Sequence, residues 1–121
     1  MNILIIGGSG HVSGAVARAA LKVIIDENLV EKSNNLGEYF MGKLREIDAP
    51  QVKEVRGKGL LIGVEIHESA GPARPYCEAL RDEGILAKET HGQVIRFAPP
   101  LVITKEEINW MLERVEKVLK A

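Results

Sequence analysis

An α/β (α+β) two-layer sandwich is the fold class this sequence predicts, and three observations predict it. Apolar residues recur at three- and four-residue spacing in stretches on both sides of a central region rich in β-branched residues. A second β-rich region, residues 85–97, is interrupted by a polar, glycine-bearing connection. The last stretch opens with a helix-capping pattern. The expected order is βα(α)ββαββα, with the helices stacked against one sheet and an added strand at the N-terminus.

Residues 2–6 are apolar on both faces, as a strand buried on both sides would be, and Gly7, Gly8 and Gly10 force a tight turn after it. From Ala15, the positions Ala15, Val16, Ala19, Ala20, Val23 and Ile24 share one helical face, and the helix is expected to run to about Glu27. Asn28 breaks it. Leu29, Val30, Leu36, Tyr39, Phe40 and Leu44 then continue a helical stripe as far as Asp48 and Ala49, where Pro50 ends it. Val52, Val55, Leu60, Ile62, Val64 and Ile66 have strand character, and Gly57 and Gly59 suggest a bend or bulge between them. Residues 73–83 read as a helix with Tyr76, Cys77 and Leu80 inward and Gly84 as its left-handed cap. Strands at 85–88 and 94–97 flank the polar connection 89–93, a hairpin that Pro99 and Pro100 terminate. Thr104 and Glu107 have capping-box spacing before the stripe Ile108, Met111, Leu112, Val115 and Leu119.

Composition narrows the function. The chain has 121 residues with 45% hydrophobic side chains, which fits one domain with a single core and not a two-domain enzyme. Sixteen Lys and Arg nearly balance 17 Asp and Glu, so no net field favours nucleic acid or an anionic membrane as partner. No apolar run approaches the roughly 18 residues of a spanning helix. Met1 is followed by a short apolar run with no basic start, and Cys77 is the lone cysteine, so a cytoplasmic protein is expected.

The segments AVARAALKVIIDENLVEKSNNLGEYF, VKEVRGKGLLIGVEI and ARPYCEALRDEGILAKETHGQVIRFAPPLVI, in that order, resemble the C-terminal small domain of ornithine-type, class III pyridoxal-phosphate aminotransferases. The resemblance covers residues 15–121. It implies that pyridoxal phosphate is held in the complete enzyme by a large domain, whose lysine and aspartate anchor it. Neither residue corresponds to a position here. Lys58 and Lys88 lie in small-domain segments, so no cofactor is expected in this chain, and the domain is expected to be inactive alone. The complete enzyme would transfer the δ-amino group of ornithine to 2-oxoglutarate.

By the same resemblance Arg96, followed by Phe97, Ala98, Pro99 and Pro100, would meet a substrate carboxylate, for which its planar donor fork is suited. That role is expected in the intact enzyme; in the isolated chain, with no large domain opposite, the expectation is instead an arginine paired with a nearby glutamate. Arg56, Gly57, Lys58 and Gly59 have the residue types of a phosphate-binding loop, but the resemblance implies a structural bend leading into the central strand, and backbone geometry alone explains the two glycines. His67, Cys77 and His91 lack metal-ligand spacing, and no metal is expected.

Residues 1–14 depart from that family. They resemble the first strand and glycine turn of NAD(P)-dependent epimerase and short-chain dehydrogenase proteins, in which backbone donors bind a pyrophosphate. Gly7, Gly8 and Gly10 are the candidate cofactor-binding residues, but Ser13 stands where a third glycine belongs, and the second strand with its acidic residue is missing. The chain therefore reads as one domain assembled as a chimera, with residues 2–6 covering a sheet edge. Two competing functions remain: a small nucleotide-binding module, and a self-associating domain that dimerises through the surface a large domain would otherwise cover.

Overall fold

The computed structural model describes residues 11–121, with side chains from residue 14 onward. The expected strand at 2–6 and the glycine turn at Gly7, Gly8 and Gly10 lie outside the described residues. Within them the order is α1 (His11–Asp26), α2 (Leu29–Glu46), β1 (Val52–Lys58), β2 (Leu61–Ile66), α3 (Arg74–Asp82), β3 (Lys88–Thr90), β4 (Val94–Phe97) and α4 (Lys105–Leu119), with a single 3₁₀ turn at Glu68–Ala70. The strands form one antiparallel sheet in the order β1-β2-β4-β3. Helix α2 packs on β1 and β2, α3 packs on β3 and β4, and α4 bridges α2 and α3. This is the two-layer α/β arrangement expected from the sequence.

Alternation along the strands explains why only one face is covered. Val55, Ile62, Val64, Ile95 and Phe97 point into the helical layer and are buried, while their neighbours Arg56, Leu61 and Arg96 are exposed. Phe97 meets Phe40 of α2 edge to face at 5.8 Å between ring centroids. Ile108, Val115 and Leu119 of α4 complete this core. The capping box stands as expected: the Thr104 hydroxyl accepts from the Glu107 amide at 3.2 Å, and the Glu107 carboxylate accepts from the Thr104 amide at 2.8 Å.

Three local expectations need correction. The glycine break between β1 and β2 is a full reversal. Lys58 pairs with Leu61, and Gly59 turns the chain at φ +54. Gly37 of α2 lies so close that a Cβ there would stand 2.0 Å from the Gly59 carbonyl oxygen, and Ser33 Oγ accepts from the Leu60 amide at 3.2 Å. The bulge is real but lies elsewhere, between Val52 and Glu54.

The third correction concerns β3, which begins at Lys88 and not at Ile85. The Ile85 amide donates to the Leu80 carbonyl at 2.8 Å and the Gly84 amide to that of Arg81 at 2.9 Å, the paired bonds of a Schellman cap. Gly84 holds φ +88 there. Ile85 therefore spends its backbone donor on α3 and its side chain in the core. The strand instead continues through Glu89 and Thr90, leaving His91, Gly92 and Gln93 as the loop between the last paired residues, Thr90 and Val94. Gln93 fastens this loop by donating to the carbonyls of Ile66 and Gly71 at 3.3 and 3.1 Å.

Candidate substrate-facing site on the open sheet face

The uncovered face of the sheet brings together residues far apart in sequence. Antiparallel pairing sets Arg56 opposite Gly63, Gly63 opposite Arg96, and Arg96 opposite Lys88, one row across all four strands. The next row is Glu54, Glu65, Val94 and Thr90. A shallow depression of about 540 Å³ lies over part of these rows, lined among others by Arg56, Lys58, Gly63, His91, Val94 and Arg96, with Lys88 outside its lining.

Charge is handled differently at its two ends. Glu54 and Glu65 are like charges directly opposite each other, and two cations neutralise them. Lys53 Nζ stands 2.6 Å from Glu65, and Arg56 engages both carboxylates, that of Glu54 at 2.6 Å. The hydrogen bond from Lys53, then that from Arg56, holds the Glu65 carboxyl below the usual carboxylate range. Arg56 is thus a strand residue committed to ion pairs, and of residues 56–59 only Gly59 lies in the turn, the other three belonging to β1. Arg96 stands apart. It is exposed, and among the described residues no carboxylate pairs with it, so the expected pairing with a nearby glutamate does not form. The carboxylate on the adjacent strand, Glu89, alternates to the other face and lies 3.4 Å from Arg74.

The other candidates do not converge. His67 follows the end of β2, His91 sits in the hairpin loop, and Cys77 is buried on α3, where desolvation pushes its thiol up. Among the described residues no group of three potential ligands could hold a metal ion. No charged or polar residue is buried among them either, so Lys58 and Lys88 both lack the desolvated setting of a Schiff-base lysine. A second surface feature escaped sequence reading. The apolar stripe of α1, with Leu29, Leu101 and Val102, lines a groove of about 380 Å³.

The family model for aminotransferase class-III matches residues 8–119. This chain belongs to the class-III aminotransferase family. Among curated aminotransferases it is 63% identical over 111 residues to the ornithine aminotransferase of a Geobacillus species, covering 92% of this chain and 27% of that protein. It is 53% identical over 113 residues to that of Bacillus subtilis, covering 93% of this chain and 27% of that protein. Among solved structures, ornithine aminotransferase from Toxoplasma gondii superposes with a TM-score of 0.83 at 41% identity, over 88% of this chain and 26% of that one. Ornithine δ-aminotransferase from Plasmodium falciparum superposes at 0.85 and 35% identity, over 89% and 28%. The chain thus spans about a quarter of the length of the aminotransferases it matches. The Toxoplasma structure is described as showing partial occupancy of pyridoxal phosphate at its active site. The family match starts at residue 8, ahead of Ala15, so it takes in Gly8 and Gly10. No helix among the described residues is long and apolar enough to cross a membrane.

Proposed function

We propose that this chain is the small C-terminal domain of an ornithine aminotransferase and that its part in the reaction is to present Arg96 to a substrate carboxylate. The observation that carries the reading is the Arg96 guanidinium, exposed on the open sheet face with no carboxylate paired to it among the described residues. A planar donor fork left without a counter-ion, and aimed by a strand that Pro99 and Pro100 follow closely, is suited to bidentate capture of a carboxylate. In the complete enzyme this would serve δ-amino transfer from ornithine to 2-oxoglutarate.

Alone, the chain is proposed to be inactive, because no described lysine is placed to bind pyridoxal phosphate covalently. Adding the cofactor should leave its visible absorbance unchanged. A saturable spectral change abolished by substitution of one lysine would overturn the proposal. Splicing the chain into the Bacillus subtilis relative in place of the matching segment tests the other half. There Arg96→Gln should raise the KM for the oxo acid by at least about tenfold, as for a lost charge-assisted bidentate pair.

The reading of the first residues as a foreign strand remains a proposal, narrowed to the residues that the family match leaves out, 1–7. Comparing the denaturant midpoint of the chain with that of a version starting at Gly8 tests whether they belong to the core. A second reading, self-association, is favoured by the exposed stripe of α1. Val16 is 52% and Val23 37% exposed beside the groove. Sedimentation should show the mass rising with concentration, and a monomer mass throughout would remove that reading.

A further inference from the structure

We propose that Lys88 is a second cation of the carboxylate site, so that the anion taken up by Arg96 is held between two strands and not by the guanidinium alone. This rests on the reading of Arg96 given above. Lys88 and Arg96 are register partners in the antiparallel pair β3–β4, so both project from the open face, and both are exposed. Like charges directly opposite in a sheet repel. On this same face the other like-charged partners, Glu54 and Glu65, have their repulsion relieved by Lys53 and Arg56.

The Lys88–Arg96 pair has no such relief, since among the described residues no carboxylate pairs with either side chain. The carboxylates that could have done so are committed elsewhere: Glu89 to Arg74 on the opposite face, Glu65 to Lys53 and Arg56. Next to Arg96 on its other side stands Gly63, which projects no side chain of its own and over which Val94 leans, its Cγ1 3.1 Å from where a Cβ would stand. Two adjacent cations on neighbouring strands, with no counter-ion among the described residues, are complementary to an external anion. The flexible four-carbon stem of Lys88 can follow that anion, while the fork of Arg96 fixes its orientation.

The site is tested on the full chain by titrating glutarate, with acetate and chloride as controls, and following backbone amide and arginine side-chain N–H resonances. Saturable shifts are expected at Gly63, Lys88 and Arg96. Lys88→Gln should weaken glutarate about fivefold, in keeping with an exposed ion pair, and Lys88→Arg should stay within about twofold of the parent. Without anion, Lys88→Gln should leave the unfolding midpoint unchanged or raise it, because it removes a repulsion. A merely structural lysine would not separate binding from stability in this way. Unchanged glutarate affinity in Lys88→Gln, with affinity lost in Arg96→Gln, overturns the second cation and leaves the Arg96 reading standing. Equal affinity in Arg96→Gln overturns both, as does the absence of any saturable shift.

Discussion

Helices α1 and α4 carry the same kind of apolar stripe and meet opposite fates. Along α4, Ile108, Val115 and Leu119 are buried at 0%, 1% and 2% exposure, the helix packing on α2 and α3. Along α1, Val16 and Val23 remain well exposed, and the helix leans on α2 beside an apolar groove. Periodicity states that a helix has an apolar face. It does not state whether the covering surface belongs to the same stretch of chain. In a chain that spans about a quarter of the length of its relatives, α1 is where that distinction shows.

The sharpest break of the comparison is truncation of one buried side chain on α4. Ile108→Ala should lower the unfolding free energy by about 3 kcal/mol, measured by denaturant titration, because it leaves a cavity where α4 crosses the core. Next in size is the platform on which both helices lean. Gly37→Ala forces α2 away from the Gly59 turn and should cost about 2 kcal/mol by overpacking, read as a drop in midpoint at unchanged slope.

Thr104→Ala removes the hydroxyl that caps α4 and should cost about 1 kcal/mol, with fraying of the first turn visible in amide exchange. Smaller still is a pH effect on the open face. Lys53 and Arg56 depress the Glu65 carboxyl, so its contribution is complete above the ordinary value of 4.5 and drains away as pH falls through the lower folded value. Glu65→Gln should flatten that acid limb of the stability curve. At the bottom of the series Val23→Ser, on α1, should change stability by less than about 0.5 kcal/mol in dilute solution. A loss there as large as that of Ile108→Ala would mean that the α1 stripe is covered after all, and a loss appearing only at high concentration would identify a second copy as the cover.

Much of the fold was legible. Pro99, the Gly84 cap and the Thr104 capping box mark their boundaries by chemistry confined to a few residues, and each boundary falls where that chemistry puts it, whereas α2 ends at Glu46, ahead of the stop expected at residues 48–50. Errors arose where one residue could serve two local structures. Ile85 has strand composition, yet its amide closes α3, and Gly59 is as compatible with a bulge as with the reversal it makes. Of the candidate site, Arg96 was legible through its segment, because Phe97, Pro99 and Pro100 surround it at fixed spacing. The neighbours of Arg96 were not. Lys88, Gly63 and Arg56 reach it only through strand register.

The sequence by itself determined the class of fold, the order of elements within the described residues and the family, because patterning, caps and long matching segments act locally or in chain order. Tertiary structure alone decided which carboxylates meet which cations, that Arg96 and Lys88 stand side by side without a counter-ion among the described residues, and that α1 keeps its apolar face open. Those facts depend on pairing between strands and on surfaces meeting across the chain, and a side chain's spacing along the sequence carries no record of its partner across a sheet.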